Sequence, residues 1–135
     1  MNWHIILSLS LFGIVMGILS LKGYTRGIFE FYLWLILAIF SVGVFAKNVD
    51  SKFFLVALLT GLLWGFLNAI VQSIFFPTYV ANNPISAESY KNLPQAINPR
   101  FFVIISGIVV GAFIGLIMGG LTFLRTISTS CTNEA

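Results

Sequence analysis

Charged residues are scarce in this sequence. Its 135 residues include four acidic and seven basic side chains, which together make up 8% of the chain. A soluble domain carries roughly 25% charged residues, so this chain has too few to cover a surface that faces water. The seven basic residues are scattered between apolar segments and form no stripe that a phosphate backbone could follow, which excludes nucleic acid as a partner.

Residues that carry catalytic or metal chemistry are equally rare. One cysteine (Cys131) and one histidine (His4) are present, which excludes an intramolecular disulfide and a cysteine-rich zinc site. The sequence contains no HExxH or GxSxG motif, no paired carboxylates and no phosphate-binding glycine loop. We therefore expect no enzymatic activity, no catalytic residue, no bound metal and no cofactor, and an inert free thiol at Cys131.

Long apolar runs, by contrast, occupy most of the chain, at 5–21, 28–46, 53–76 and 101–124. A bilayer core about 30 Å thick needs roughly 20 helical residues, so each run is a candidate span; Trp3 and His4 extend the shorter first one at the interface. That run lacks a basic leader region and a small-residue cleavage site, so we expect it to be retained. The sequence predicts an all-α integral membrane protein with four transmembrane helices in one domain, 1–135, whose first partner is the lipid bilayer.

The segment 77–100 is the one long connection, and it contains all four prolines of the chain. Ser86 is suited to cap a short helix around 87–92. Asn98 followed by Pro99 is typical of a helix start, because asparagine caps the first turn and proline fits its first position. We therefore expect a loop with one short helix, followed by a fourth span that begins at Pro99.

Small residues recur every three or four positions in three of the four runs. Lipid is as apolar as leucine, so membrane helices associate largely through close backbone packing across small residues. The strips predict that three spans pack through Gly/Ala/Ser faces of the glycine-zipper type, while the bulkier second span lies at the periphery. A pore or a sliding interface is the functional alternative to static packing. The glycines of these strips are Gly13, Gly17, Gly61, Gly65, Gly107, Gly111, Gly115 and Gly119.

Four polar residues inside the runs fall in the same half of the bundle. In a four-span topology, Glu30, Gln72 and Ser106 each lie about 10 Å from the midpoint of their span, and Asn68 lies about 5 Å from it. Polar groups inside a membrane are costly and tend to point into the bundle. The sequence therefore predicts a polar pocket in one leaflet, bordered by Arg26 and Arg100.

This pocket has two interpretations. In the first, Glu30 binds a cation or a proton, and Asn68 and Gln72 coordinate a solute. In the second, Glu30 pairs with Arg26 at the interface and the two amides only bond neighbouring helices. A cavity that reaches past Asn68 favours the first interpretation, whereas paired polar groups without a cavity favour the second. Trp3 and Trp34 are expected to be interfacial or lipid-facing anchors.

The two interpretations correspond to two functions. The leading expectation is a non-enzymatic packing or accessory subunit that self-associates as a homo-oligomer or joins a larger membrane complex. The alternative is a small transporter or channel built around Glu30, Asn68 and Gln72. Four spans in so short a chain resemble many small bacterial membrane proteins, so we expect a multi-pass protein of the bacterial inner membrane.

Basic residues are divided almost evenly between the two membrane sides, so the positive-inside rule barely distinguishes them. The free thiol of Cys131 in the C-terminal segment favours cytoplasmic termini. One side carries Lys22, Arg26, Lys91 and Arg100, and the other carries Lys47, Lys52 and Arg125.

Overall fold

The computed structural model describes residues 1–25 and 27–133, and every regular element within these ranges is a helix. Four of the six helices are long and apolar enough to cross a membrane, which is compatible with a multi-pass membrane protein. The helices are α1 (Trp3–Leu21), α2 (Ile28–Asn48), α3 (Phe53–Ile74), α4 (Phe76–Asn82), α5 (Pro84–Lys91) and α6 (Pro99–Asn133). The long ones are α1, α2, α3 and α6.

Helix α3 lies at the centre of the bundle and runs antiparallel to α6. A Cβ atom added at Gly61 would lie 2.5 Å from the Cα of Gly115, and one added at Gly65 would collide with the carbonyl of Gly107. Moving forward along α3 therefore means moving backward along α6. The two backbones approach so closely that there is no room for a side chain at either glycine.

Helix α1 runs parallel to α3 and contacts a different face of it from α6. A Cβ atom at Gly13 would lie 2.7 Å from the Trp64 carbonyl oxygen, and one at Gly17 would lie 2.9 Å from the Val71 Cβ. Trp64 is fully buried, and its Nε1 donates a hydrogen bond of 2.6 Å to the carbonyl of Leu9. Parallel α1 and α3 with antiparallel α6 give the alternating order of directions that four successive spans require.

Helix α2 is the peripheral member of the bundle, as its bulky sequence predicted. Only 17% of its span is buried, against 50% of the span of α1. Its buried residues, Ser41, Val42 and Phe45, all lie in the C-terminal half. The N-terminal half of α2 is less buried, and a cavity remains between it, α3 and α6.

The segment 77–100 contains two short helices instead of the one predicted. α4 follows α3 almost directly, and α5 begins at Pro84 with Asn83 before it, so the expected start near Ala87 with Ser86 as its cap is wrong. Proline fits the first turn of a helix because it has no N–H to leave unpaired there. The Ser86 hydroxyl instead accepts a hydrogen bond of 3.2 Å from the Tyr79 hydroxyl.

Two asparagines at the end of α4 hold this segment against the end of α1. Asn82 Nδ2 donates to the carbonyl of Leu21 at 2.7 Å, and Asn83 Nδ2 donates to that of Ser20 at 2.8 Å. The last carbonyls of a helix have no partner within the helix, and these amides supply one. The connection after α1 and the 77–100 segment therefore lie at the same end of the bundle, as the four-span topology predicted.

Helix α6 begins at Pro99, where the Asn98-Pro99 pair predicted it. The Oδ1 of Asn98 accepts a hydrogen bond of 3.0 Å from the backbone N–H of Arg100. The helix then continues well past the last apolar run, to Asn133, and carries the exposed free thiol of Cys131 on this extension. A helix of 35 residues is about 52 Å long, so its end projects beyond a 30 Å bilayer core.

Candidate functional site

A cavity of about 530 Å³ lies between α2, α3 and α6. Its wall includes all four polar residues that were predicted to lie in the same half of the bundle: Glu30, Asn68, Gln72 and Ser106. Tyr79 of α4 lies at the same end as Gln72, and the remaining wall is apolar. The apolar lining comprises Phe31, Trp34, Leu35 and Ala38 of α2, Gly65 of α3, and Gly107, Val110, Gly111, Ile114 and Ile117 of α6.

The cavity extends past Asn68 toward the middle of the bundle. On α3 its wall runs from Gln72 to Gly65, and on α6 it runs from Ser106 to Ile117. At 1.5 Å per residue, these stretches measure about 10 Å and about 16 Å. The polar residues therefore occupy one end of an elongated cavity whose other end is lined by apolar side chains alone.

The two amides on α3 are held in different ways. Gln72 is buried, and its Nε2 donates to the Ser20 hydroxyl at 3.2 Å and to the Asn68 Oδ1 at 3.5 Å. The first bond ties α3 to α1, so part of the polarity of Gln72 serves helix packing. Asn68 is only half-buried on the cavity wall, one turn away from Gln72.

Glu30 is half-buried in the first turn of α2 and lines the cavity. A carboxylate is favoured at a helix N-terminus because the backbone N–H groups there carry partial positive charge. The predicted pair between Glu30 and Arg26 lies outside the described residues, because they do not include Arg26. Arg100, which was expected at the mouth of the pocket, is exposed and is not part of the cavity wall.

The orientation of Trp34 differs from the sequence-based expectation. Its ring lies 5.4 Å from that of Trp64, centroid to centroid, and it lines the cavity. Trp34 therefore packs into the bundle instead of facing lipid alone, whereas Trp3 is 53% exposed at the N-terminus. Neither Thr60 nor Trp64 contributes a polar group to the cavity wall, since Thr60 donates to the carbonyl of Val56 and Trp64 donates to that of Leu9.

An aromatic cluster lies beside the polar end of the cavity, and no pattern in the sequence predicted it. The ring of Tyr90 lies 6.4 Å from that of Tyr79, 5.4 Å from that of Phe76 and 6.3 Å from that of Phe102. Burial raises the pKa of the Tyr90 phenol, and the neighbouring Tyr79 raises it further. A phenol is already neutral at physiological pH, so Tyr90 adds no charge beside Tyr79.

Comparisons with known proteins do not extend this picture. No family model, curated protein or solved structure matches the chain. Within the described ranges, no group of three or more His, Cys, Asp or Glu side chains could hold a metal ion. Function has to be inferred from the cavity and from the chemistry of its wall.

Proposed function

We propose that the protein is a small, non-enzymatic membrane transporter whose cavity binds an amphipathic solute with a positively charged group. One observation carries this proposal: the four polar residues share the wall of a cavity that continues past Asn68. A volume of about 530 Å³ falls within the range of roughly 300–1,000 Å³ that is usual for small-molecule sites. An accessory subunit has no need of such a space.

The chemistry of the wall favours a cation over an anion. Among the described residues that line the cavity, Glu30 is the one ionisable acid or base other than the phenol of Tyr79. Aromatic rings of Phe31 and Trp34 line the same end, and a ring face attracts cations by an amount on the order of 1 kcal/mol. A single carboxylate among aromatic rings complements one positive charge attached to an apolar body.

The route into the cavity is consistent with an amphipathic solute. Several wall residues are also exposed on the outside of the bundle: Phe31 (62%) and Leu35 (43%) on α2, and Val110 (56%) and Ile117 (52%) on α6. The gap between α2 and α6 therefore opens toward the surface that lipid would cover. A solute partitioned into the bilayer could enter there and place its charged group next to Glu30.

A specific observation supports the second candidate, an accessory or self-associating subunit. Gln72 is already bonded to Ser20 and Asn68, as expected of a polar residue whose role is to join helices. Under this alternative the cavity is filled by lipid chains, and Glu30 is an interfacial anchor. A homo-oligomer or larger complex would then be the functional form.

The architecture that we propose for the membrane places small residues where backbones meet. The contacts of Gly13 with Trp64, and of Gly61 and Gly65 with α6, support close packing of α1, α3 and α6 through their small-residue faces. Packing of this kind contributes to helix association where hydrophobicity cannot. Thermal unfolding of glycine variants, described in the Discussion, tests it.

We also propose that the protein lies in a bacterial inner membrane with both termini in the cytoplasm. The support is the exposed thiol of Cys131 on the extension of α6, since free thiols persist in the reducing cytosol. A membrane-impermeant maleimide should label Cys131 only after the inner membrane is permeabilised. Labelling in intact spheroplasts would reverse the orientation without affecting the fold.

Binding of a lipophilic cation tests the transport proposal. Tetraphenylphosphonium and tetraphenylborate have nearly the same size and opposite charge, so they isolate the effect of charge. With the protein in phosphatidylcholine nanodiscs and empty discs as background, we expect saturable binding of the cation only. Glu30→Gln should weaken that binding at least tenfold, because a partly desolvated charge loses its partner. Glu88→Gln, in exposed α5, is the matched control and should bind normally.

Transport is then measured in proteoliposomes as ethidium uptake driven by an imposed pH gradient. We expect uptake by the wild type and by Glu88→Gln, and none by Glu30→Gln, while all three proteins melt at the same temperature in detergent. Equal uptake by Glu30→Gln, or no uptake by the wild type above empty liposomes, would support the accessory subunit instead.

A further inference from the structure

A second groove lies at the opposite end of the bundle from the polar end of the cavity. It occupies about 280 Å³ between the C-terminal turns of α2 and the point at which α6 leaves its apolar run. Two cationic side chains from different helices, Lys47 and Arg125, line it. Its other lining residues are Ile39, Phe40, Gly43, Val44 and Asn48, and no acidic residue is among the described side chains of its wall.

Gly43 brings Arg125 close to α2. A Cβ atom at this position would lie 3.4 Å from the Arg125 Nη1, so the guanidinium rests above the bare backbone of α2. A larger side chain at position 43 would occupy the floor of the groove and move the guanidinium outward. Lys47 follows Gly43 by four residues and therefore projects from the same side of α2.

The depth of the groove matches the headgroup region of a membrane. Lys47 and Arg125 are the first charged residues after the apolar runs 28–46 and 101–124, so both lie where a span meets water. Phe40 precedes Lys47 by two turns, which places it about 10 Å deeper. Ile39 and Phe40 are 60% and 55% exposed, so an apolar wall descends from the two cations toward the bilayer interior.

We propose that this groove binds one anionic phospholipid, with its phosphodiester between Lys47 and Arg125 and an acyl chain along Ile39 and Phe40. Arginine forms paired hydrogen bonds with phosphate oxygens, and lysine contributes a mobile positive charge. Basic pockets between transmembrane helices bind acidic lipid headgroups in this way. The two cations favour a lipid with a net negative charge over a zwitterionic one, and this holds whatever occupies the cavity at the other end.

The test titrates purified protein in a neutral detergent with phosphatidylglycerol or phosphatidylcholine of identical acyl chains, and follows bound lipid by native mass spectrometry. We expect saturable binding of phosphatidylglycerol at one site and markedly weaker binding of phosphatidylcholine. Glycerol phosphate, which has the same anion without acyl chains, should not compete at millimolar concentration. Competition by glycerol phosphate would mean a free-phosphate site and would overturn the lipid assignment.

Variants locate the site. The double variant Lys47→Gln/Arg125→Gln should bind phosphatidylglycerol about thirtyfold more weakly, the effect expected of two cations near an anionic surface. The matched control Lys52→Gln/Arg100→Gln removes one lysine and one arginine, both exposed and both outside the groove, and should bind within about twofold of the wild type, since exposed charges away from a contact contribute little.

Gly43→Leu separates a built groove from simple charge attraction, because it keeps both cations and fills the floor. We expect it to lose the preference for phosphatidylglycerol while melting within a few degrees of the wild type. Undiminished binding by Gly43→Leu, or by the double variant, would overturn the proposal. Since each change lies at the surface, the folded state of each variant can be checked by its melting curve before the titration.

Discussion

The two sides of α3 differ in how closely their neighbours approach. Toward α6, glycine meets glycine, and a Cβ atom added at Gly65 would collide with the backbone. Toward α2, the wall of the cavity is built from Phe31, Trp34 and Leu35, and a space of about 530 Å³ remains. The neighbours differ in side-chain size: the contact with α6 is between glycines, whereas Phe31, Trp34 and Leu35 of α2 stand across the cavity from α3. Large side chains keep two helix backbones apart. Where the side chains of the two helices do not interdigitate, a cavity remains between them.

The largest effect on stability should come from adding one methyl group to the face of α3 that contacts α6. In Gly65→Ala, the new Cβ would meet the Gly107 carbonyl and lie 2.9 Å from the Gly111 Cα. Both neighbours are backbone atoms and cannot move aside without shifting α6. Overpacking of this kind typically costs about 1–3 kcal/mol, and we expect a clear fall in melting temperature in detergent.

The control is Gly120→Ala on α6, the partner helix, where an added Cβ meets nothing within 4 Å. It should leave stability unchanged or raise it by up to about 1 kcal/mol, because alanine is a better helix former than glycine. If Gly65→Ala melts like Gly120→Ala, then the close approach of α3 and α6 is not what stabilises the bundle, and the contrast between the two sides of α3 disappears.

The lengths of the apolar runs, and the positions of the polar residues within them, predicted much of the helix arrangement. The thickness of a bilayer sets the length of a span, so four apolar runs predicted the four long helices. Counting residues from the span midpoints predicted that Glu30, Asn68, Gln72 and Ser106 lie in the same half of the bundle, and the structure has them on the wall of one cavity. Asn98 and Pro99 predicted the start of α6 because their capping chemistry is local.

Rotation about the helix axis could not be predicted in the same way. A span that is apolar on all sides has no polar stripe to show which side points inward, so Trp34 was assigned to lipid although it packs on Trp64. Tyr79 was missed because its position depends on α4 and on the bonds from Asn82 and Asn83 to the end of α1. These contacts join residues about 60 positions apart in sequence, and no local pattern indicates them.

The smallest effect on stability should come from placing a larger side chain in the cavity between α2 and α3. Ala38 lines the cavity on α2, so the longer side chain of Ala38→Leu has space to enter. A substitution that neither creates a cavity nor overpacks usually changes stability by no more than about 0.5 kcal/mol, and we expect the melting temperature in detergent to stay near that of the wild type. The same side chain should occupy part of the space available to a solute, so tetraphenylphosphonium binding should fall several-fold.

Ala46→Leu is the matched control, since it lies on the same helix and outside the cavity wall, and it should leave both properties unchanged. A large loss of stability in Ala38→Leu would mean that α2 packs as tightly as α1 and α6, whereas unchanged stability with unchanged binding would place the probe elsewhere on the protein.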